Sequence, residues 1–321
     1  GTVQFGSGPT FSGATSNTGA ADTSTITLGS PASLLNWNGF VLRSGDTLNF
    51  VFGSNTDIVL NRVDGASAAT INGSVYGRIG STAGANGGNL WFLAPGGIMV
   101  GSTAIINAGG LMLSAGQLTD TDFFNGNVNL VDASNGIYVS TGADLTASNG
   151  ALTLMAPYIS FAGNAVSSGS IALIGAADAQ IVFDSDMDAY VGITVSEGSS
   201  QGTAVSVTSD AFFDSAPVAS GGKTYLIAAG QGANLGSIFL GGVAADRVEF
   251  VEGDVVLYAG GDVTATPKTF VSGGVLQGLG AATGGNDVTI GAANVSAGSI
   301  NAIAVDDMIV NDMTFVSGNA R

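Results

Sequence analysis

The sequence predicts an all-β protein, a right-handed parallel β-helix (solenoid) with an N-terminal cap and hairpins outside the helix. The chain has 51 glycines among 321 residues but only seven Lys and Arg. The residues typical of exposed helix faces are therefore scarce, whereas strand and turn formers are plentiful. From Ile71 to Gly116, short apolar pairs at i and i+2 alternate with turns of Gly, Ser, Asn and Pro. This spacing is typical of short strands stacked in rungs.

Composition excludes several classes of function. The formal charge of −17 leaves no basic patch that could bind nucleic acid. The absence of Cys and His excludes thiolate or imidazole zinc sites and Ser-His-Asp triads, and we predict no cofactor. No apolar run is long enough to span a membrane, and the start lacks the regions of a signal peptide, which we expect to have been removed already.

The first segment, Gly1 to Thr25, contains few large apolar residues and many turn formers. We interpret it as an irregular lead-in that covers the first rung, because a terminal rung exposes unpaired backbone and apolar interior. The strands of the first rungs are then predicted from alternating apolar residues, namely Ile26 and Leu28, Phe40 and Leu42, and Leu48, Phe50 and Phe52.

The later chain repeats the same pattern at steps of about 19 or 20 residues, one rung of a stacked architecture. The steps link Leu152 and Leu154 to Ile171 and Leu173, and Val288 and Ile290 to Met308 and Val310. The pattern loosens over residues 184–222, which we predict to form a longer excursion or hairpin. Because the chain ends at Arg321 without an amphipathic cap, we expect either a segment of a longer exoprotein or a unit that stacks on another copy.

A series of short motifs, in a fixed order, adds a specific resemblance. They are an Asn-Trp followed by Phe, a Leu-Asn-Arg-Val, an Ile-Asn-Gly, a Pro-Gly turn and an Ile-Asn-x-Gly-Gly-Leu. The residues concerned are Asn36, Trp37, Phe40, Asn61, Arg62, Asn72, Gly73, Pro95, Gly96, Gly97, Asn107 and Gly110. Together these motifs resemble the secretion (TPS) domain of two-partner-secreted exoproteins, the group of filamentous haemagglutinin and the high-molecular-weight adhesins. The resemblance covers residues 20–126, about a third of the chain.

The resemblance implies a partner and a location. The domain would direct export through a dedicated outer-membrane transporter of a Gram-negative bacterium, and the chain would be secreted or held at the cell surface. We predict a secretion domain with its cap at residues 1–126 and further rungs at 127–321. The exoprotein would be adhesin-like and non-catalytic, and would bind a host, matrix or neighbouring-cell surface. The alternative is a subunit that stacks end to end into an extracellular fibre.

One motif departs from the family pattern. The family usually has Asn-Pro-Asn-Gly where this chain has Ala94, Pro95, Gly96 and Gly97. Pro and Gly retain the turn, but the Asn side chains are missing. Either the backbone turn is what the transporter requires, or the chain uses a divergent transporter.

The Asn residues of the motifs also have a structural interpretation, since Asn side chains bond turn backbone groups in solenoids, and we favour it over direct contact with a partner. For Arg62 we expect a salt bridge of small energetic value with a nearby carboxylate. Between the two tryptophans, we predict packing for Trp37, while Trp91 is the better candidate for a surface residue that could stack on a sugar.

Two acidic clusters are the remaining candidates for chemistry. Asp120 and Asp122, if on a strand, would share a face and could serve a polysaccharide-cleaving enzyme, but the scattered basic residues offer no site for an acidic sugar. Asp184, Asp186 and Asp188 have the spacing of half a calcium loop, yet the Gly and Glu that such a loop requires are absent. We therefore predict no enzyme and no metal site, with calcium at the second cluster as a weak candidate.

Overall fold

The computed structural model describes residues 22–200 continuously, with side chains there and at residues 204–206 and 211–213, and otherwise only the backbone of strands. The strands of the first part are β1 (Val3–Phe5), β2 (Thr10–Gly13), β3 (Thr23–Thr27), β4 (Ala32–Trp37), β5 (Val41–Leu42), β6 (Thr47–Phe52), β7 (Ile58–Val63), β8 (Ala69–Ile71), β9 (Ser74–Ile79), β10 (Asn89–Leu93), β11 (Ile98–Val100), β12 (Ile105–Ala108) and β13 (Gly110–Ser114). A short helix, α1 (Asp120–Phe124), follows.

The next strands are β14 (Val128–Leu130), β15 (Ile137–Val139), β16 (Asp144–Ala147), β17 (Leu152–Ala156), β18 (Ile159–Phe161), β19 (Asn164–Ser167), β20 (Ile171–Phe183), β21 (Tyr190–Gly198), β22 (Thr203–Val207), β23 (Phe212–Ser215), β24 (Thr224–Ala228) and β25 (Ser237–Leu240). The last strands are β26 (Ala244–Ala245), β27 (Arg247–Val251), β28 (Asp254–Ala259), β29 (Val263–Ala265), β30 (Thr269–Ser272), β31 (Val275–Gly280), β32 (Val288–Ile290), β33 (Asn294–Ser296), β34 (Ser299–Ile303), β35 (Met308–Val310), β36 (Thr314–Phe315) and β37 (Asn319–Ala320).

Most of these strands form a parallel β-helix with three faces. Face 1 contains β4, β7, β10, β13, β17, β20 and β24; face 2 contains β5, β8, β11, β15, β18, β22 and β25; face 3 contains β3, β6, β9, β12, β16, β19, β23, β30, β33 and β36. One rung is three strands in chain order, for example β7, β8 and β9, and neighbouring rungs pair in parallel. The predicted step between rungs is confirmed, because Leu152 lies opposite Ile171 and Val288 lies opposite Met308.

The interior is filled by columns of side chains that lie one above the other on successive rungs. One inward column of face 1 contains Leu35, Asn61, Phe92, Leu113, Leu154 and Leu173. All six are fully buried. The column is apolar except at Asn61, so burial of apolar surface stabilises each rung on the next.

The N-terminal end of the helix is capped. Strand β1 pairs with β4, and β2 with β3, and both pairs are antiparallel. Two of the three faces therefore begin with an antiparallel strand, as expected for a lead-in that covers the first rung.

A second layer, which we call the outer layer, lies outside face 1. It consists of α1, β14, the end of β20 and β21; β20 pairs antiparallel with both β14 and β21. The outward side chains Leu60, Trp91 and Met112 of face 1 are buried, and the Trp91 ring packs against Phe123 and Phe183 of this layer. The sequence predicts an excursion or hairpin over residues 184–222, but the structure places the hairpin earlier in the chain. The hairpin pairing begins at Ala176, and β22 and β23 already belong to faces 2 and 3.

In the part of the chain that the structure describes, no helix is long and apolar enough to cross a membrane.

Candidate functional site

Asn61 is a polar side chain in the interior of the helix. It lies between Leu35 and Phe92 in the inward column. Its Oδ1 accepts a hydrogen bond from Trp37 Nε1 at 3.1 Å, and its Nδ2 donates to the Trp91 carbonyl at 3.2 Å. A buried amide that bonds at both ends links three successive rungs and fixes their relative position.

Trp37 and Phe40 form the N-terminal end of an aromatic core. Their ring centroids lie 4.9 Å apart in an edge-to-face arrangement, and Phe40 packs on Phe92 at 5.2 Å. Phe92 in turn packs on Phe50 at 6.3 Å. Edge-to-face geometry is favourable for such rings, so these two motif aromatics hold the first rungs together.

Asn36 and Arg62 lie opposite each other on the outer side of face 1. Arg62 Nη2 is 2.7 Å from Asp120 Oδ1 and donates to the Leu118 carbonyl at 2.8 Å. The Oδ1 atom of Asn36 is buried and has no hydrogen-bond partner among the described residues. The expected ion pair of Arg62 therefore exists, and it fastens the start of α1 to face 1.

Asn72 and Gly73 lie at the corner between β8 and β9, where turns of successive rungs stack. A Cβ atom at Gly73 would overlap the backbone oxygens of Arg43 and Asp46. In the next rung, Thr103 Oγ1 donates to the Asn72 carbonyl at 2.6 Å. Gly73 is thus required by the close approach of the turn below it.

The divergent turn of residues 94–97 has a defined backbone without asparagine. The Gly97 N–H donates to the Ala94 carbonyl at 2.8 Å, and Gly97 has a φ of 95°, which favours glycine. Gly96 approaches the Ser67 carbonyl so closely that no Cβ would fit. The two glycines therefore retain the turn shape that the sequence predicted.

An asparagine from the next rung bonds this turn. Asn135 Nδ2 donates to the Pro95 carbonyl at 2.7 Å. We did not predict this residue, because it lies 40 positions from Pro95 in a turn outside the matched motifs. The only signal in the sequence is its position in a Ser-Asn-Gly turn.

Gly110 and Asn107 belong to the last matched motif. Gly110 lies opposite Asn89, and a Cβ at Gly110 would overlap Asn89 Oδ1. Asn89 is buried and donates to the carbonyls of Asn55 and Asp57 at 3.1 and 3.2 Å. Asn107 is half-buried on β12, and its buried Oδ1 has no partner within the described segment. The sequence did not single out Asn89, which determines the need for glycine at position 110.

The prediction that Trp91 lies at the surface is wrong. Only 4% of the residue is exposed, because the outer layer covers it. Its ring lies 5.9 Å from Phe123 and 6.3 Å from Phe183. A sugar-stacking platform requires an open ring face, which Trp91 does not have.

Asp120 and Asp122 lie on α1 and not on a strand, so the predicted carboxylate pair on one strand face is wrong. Thr119 Oγ1 caps the helix by accepting from the Asp122 N–H at 3.0 Å, and it donates to Asp122 Oδ2 at 2.8 Å. Side chains at i and i+2 of a helix do not face each other. The Asp120 carboxylate therefore binds Arg62, and the Asp122 carboxylate accepts a hydrogen bond from Thr119, the residue that caps the helix.

Asp184, Asp186 and Asp188 lie at the tip of the hairpin between β20 and β21. Asp184 Oδ1 accepts from the backbone N–H groups of Asp188 and Ala189, at 3.1 and 3.2 Å. Burial, followed by the hydrogen bond and charge of Asp184 and the charge of Asp186, raises the pKa of Asp188. Among the described residues, no group of three or more His, Cys, Asp or Glu side chains is placed to hold a metal ion.

A crevice of about 240 Å³ lies between face 1 and the outer layer. Its lining includes Trp91, Phe123 and Phe183, and among the lining residues that the structure describes Asp184 is the only carboxylate.

Comparison with known proteins identifies the family. The model of the TPS secretion domain matches residues 4–211. The chain belongs to the TPS secretion domain family. The matched segment is almost two thirds of the chain, and the boundary predicted at residue 126 falls inside it.

One solved structure shares the fold. The crystal structure of the HMW1 secretion domain from Haemophilus influenzae superposes with a TM-score of 0.68 at 18% identity, over 99% of this chain and 84% of that one. The filamentous hemagglutinin secretion domain has a TM-score of 0.48 at 13% identity, with 97% of both chains covered. No match was found among curated protein sequences. At this identity the HMW1 comparison shows the fold of a TPS domain and no more.

Membership of the TPS family has two consequences. A TPS domain implies a dedicated outer-membrane transporter as partner, and the exoproteins that carry one are secreted by Gram-negative bacteria. The residues that we expected to mark the family mainly hold rungs and turns together in the folded chain. They do not form an exposed cluster that could act as an active site.

Proposed function

We propose that this chain directs export of an adhesin-like, non-catalytic surface exoprotein, and that the periplasmic modules of its transporter recognise it before it folds. The match of the TPS model to residues 4–211 is the observation that carries this proposal. The chain would supply the secretion domain and the first rungs of the shaft. Outside the cell, the exoprotein would bind a host, matrix or neighbouring-cell surface.

The burial of the motif residues supports recognition of an extended chain. Asn61 is fully buried and Trp37 is 7% exposed, so neither offers a side chain to a transporter after folding. In an extended chain both are accessible. The same residues can therefore be bound in the periplasm and then form the core outside, where stacking of each rung on the previous one drives folding.

The capped N-terminal end favours a single rod over the fibre alternative. Stacking between copies requires unpaired strands at the end of the helix. Strands β1 and β2 run antiparallel along the first strands of faces 1 and 3. Size-exclusion chromatography and negative-stain microscopy should show rods whose size does not increase with concentration, and concentration-dependent filaments would contradict this.

The non-catalytic part of the proposal is supported by the contacts of Asp120 and Asp122, the two candidate catalytic carboxylates. Asp120 is paired with Arg62, and the Asp122 carboxylate accepts a hydrogen bond from Thr119. Turnover of a pectin-like polysaccharide by the purified chain, lost on Asp120→Asn or Asp122→Asn, would contradict it.

Secretion from a Gram-negative host, with and without a co-expressed two-partner-secretion transporter, tests the export function. We expect export only with the transporter, a strong reduction for Asn61→Leu, and little change for Asn129→Leu, which alters an exposed Asn of β14. Purified periplasmic modules of the transporter should bind more tightly to chain that has been unfolded in urea and then diluted than to chain that is already folded. Equal binding of the folded chain would overturn recognition before folding, and export without the transporter would overturn the function itself.

A further inference from the structure

Six Asn-Gly pairs occur in the chain, all within the continuously described segment, and they are Asn38-Gly39, Asn72-Gly73, Asn86-Gly87, Asn125-Gly126, Asn135-Gly136 and Asn149-Gly150. An Asn followed by Gly is the least hindered sequence for attack by a backbone nitrogen on the side-chain amide, because Gly has no Cβ. The reaction also requires freedom of the Asn side chain and of the following backbone. The structure distinguishes the six pairs in this respect.

Hydrogen bonds hold the side chains of three of these asparagines. Asn135 Nδ2 donates to the Pro95 carbonyl at 2.7 Å, and Asn149 Nδ2 donates to the Asn86 carbonyl at 3.1 Å. Asn86 Oδ1 accepts from the guanidinium of Arg78. In these three pairs, the amide would have to leave its partner before it could react.

The surroundings restrain two further pairs. Gly73 is buried and packed against the carbonyls of Arg43 and Asp46, so its nitrogen cannot move toward Asn72 without unstacking the turn. Asn38 is exposed, but its pair lies in the connection that places Phe40 in the aromatic core, and Gly39 is half-buried.

Asn125-Gly126 differs from the other five. Both residues are exposed, and no Cβ placed at Gly126 would meet another atom within 4 Å. The Asn125 side chain has no hydrogen bond among the described residues. The Gly126 N–H donates to the Phe123 carbonyl at 3.1 Å, at the end of a helix of only five residues. Such a short helix frays readily, and fraying releases this nitrogen.

We propose that Asn125 is a site of spontaneous deamidation in the folded protein. The Gly126 nitrogen attacks Cγ of Asn125, a bond forms between them, and the bond from Cγ to Nδ2 breaks. Ammonia leaves with the proton from the Gly126 amide, and a cyclic succinimide remains. One water molecule then opens the ring at either carbonyl and gives aspartate or isoaspartate.

The product alters the outer layer. Either product places a new carboxylate at the C-terminal end of α1, where the helix dipole disfavours negative charge. Isoaspartate also inserts a methylene group into the backbone directly after Phe123 and Phe124. Phe123 packs on Trp91, and Asp120 at the other end of α1 binds Arg62, so the change acts on the attachment of α1 to face 1.

Incubation of the full chain in mildly alkaline buffer, followed by peptide mass spectrometry and isoaspartate labelling, tests the proposal. In the native state we expect the peptide that contains Asn125 to convert roughly tenfold faster than the other five sites, because α1 opens locally. In urea the six rates should converge to within a few-fold, because protection by the fold is lost. Asn125→Gln should remove the fast native component, since attack on the longer side chain requires a larger ring.

Native conversion that is fastest at another pair, or equal at all six, would overturn the proposal. Fast conversion at Asn125 in urea alone would also overturn it, because the site would then be protected by the fold like the others.

Discussion

Asn61 belongs to one of the motifs that resemble the family, and its side chain also forms hydrogen bonds inside the helix. Its column is otherwise apolar, yet both ends of its amide are bonded inside the helix. An apolar residue of the same size would fill the space but leave the Trp37 Nε1–H buried without an acceptor. The energetic cost of that orphaned donor explains why a polar residue is suitable here.

We expect Asn61→Leu to lower the free energy of unfolding by about 1–3 kcal/mol, the cost of a buried donor without a partner. Urea denaturation followed by tryptophan fluorescence measures this. Asn129→Leu is the matched control, because Asn129 is exposed on β14, and it should change the free energy by less than about 0.5 kcal/mol. Equal effects of the two substitutions would show that the Trp37 hydrogen bond does not stabilise the fold.

Asp188 gives a second prediction at this scale, for the dependence of stability on pH. Burial and the neighbouring Asp184 and Asp186 raise the pKa of Asp188 above its ordinary value of 3.8. The folded chain therefore holds the proton more tightly than the unfolded chain. The contribution of this group to stability is complete below pH 3.8 and is lost as the pH rises through the raised pKa.

We expect Asp188→Asn to raise the urea midpoint at neutral pH, because the crowded carboxylate is replaced by a neutral amide. The difference from the unsubstituted chain should disappear below pH 3.8, where Asp188 is protonated in both states. Asp132→Asn, at an exposed position, controls for the change in net charge. A neutral-pH midpoint that is unchanged or lower would contradict the prediction.

At the scale of elements, the stacked turns and the outer layer are held in the fold by different kinds of contact. The corner between β8 and β9 stacks on the turn of residues 43–46, so the backbone of one rung touches the backbone of the next. In contrast, the outer layer is attached to face 1 by side chains, among them Arg62 and Asp120. We therefore expect substitutions in the stacked turns to cost more than substitutions in the attachment.

Gly73→Ala should lower the free energy of unfolding by about 1–3 kcal/mol, because the new methyl group would overlap two backbone oxygens that cannot rotate away. Gly39→Ala is the matched control, since it also follows an Asn and no atom lies within 4 Å of its added Cβ. Its effect should stay within about 0.5 kcal/mol. A Gly73→Ala variant as stable as Gly39→Ala would mean that the stacked turns separate at little cost.

A double-mutant cycle of Arg62→Ala and Asp120→Asn should give a coupling energy of about 0.2–1 kcal/mol, because the Asp120 side chain is 62% exposed and the Arg62 side chain 23%. Urea denaturation of the four proteins measures it. A coupling well above this range would show that the pair is shielded from solvent and that α1 is part of the stable core.

The outer layer joins rungs of the β-helix that are not neighbours. A simple solenoid is stabilised by contacts between neighbouring rungs. Here the β20–β21 hairpin packs on Trp91, which comes from a rung formed much earlier in the chain, and Tyr190 bonds Thr153 at 2.7 Å. The rungs from β10 to β20 therefore share one covering layer. We infer that they unfold as one cooperative unit.

Phe183→Ala tests this cooperativity. Loss of the ring next to Trp91 should destabilise the chain by about 2 kcal/mol and raise native-state hydrogen exchange in β10 and β13 as well as in β21. Val182→Ala is the control, because Val182 is adjacent and 46% exposed. Faster exchange confined to β21 would show that the hairpin opens independently of the rungs.

The sequence by itself determined the β-helix and the residues inside it. Alternation of apolar residues with Gly-rich turns fixes which side chains point inward, and a step of one rung pairs Leu152 with Ile171. The motifs also predicted the family, because their residues and their order can be read directly from the sequence. Glycine is required at positions 73 and 96 by the close approach of other backbone segments, and at position 110 by the Asn89 side chain.

Only the tertiary structure decided which segments cover the outer side of face 1. Trp91 points outward from its strand, as a surface residue would, and its burial depends on Phe123 and Phe183, which are distant in sequence. The ion pair of Asp120 likewise depends on a distant residue, Arg62, which lies 58 positions earlier in the chain. The physical reason is that strand periodicity states which side of a sheet a residue occupies, but not whether another segment covers that side.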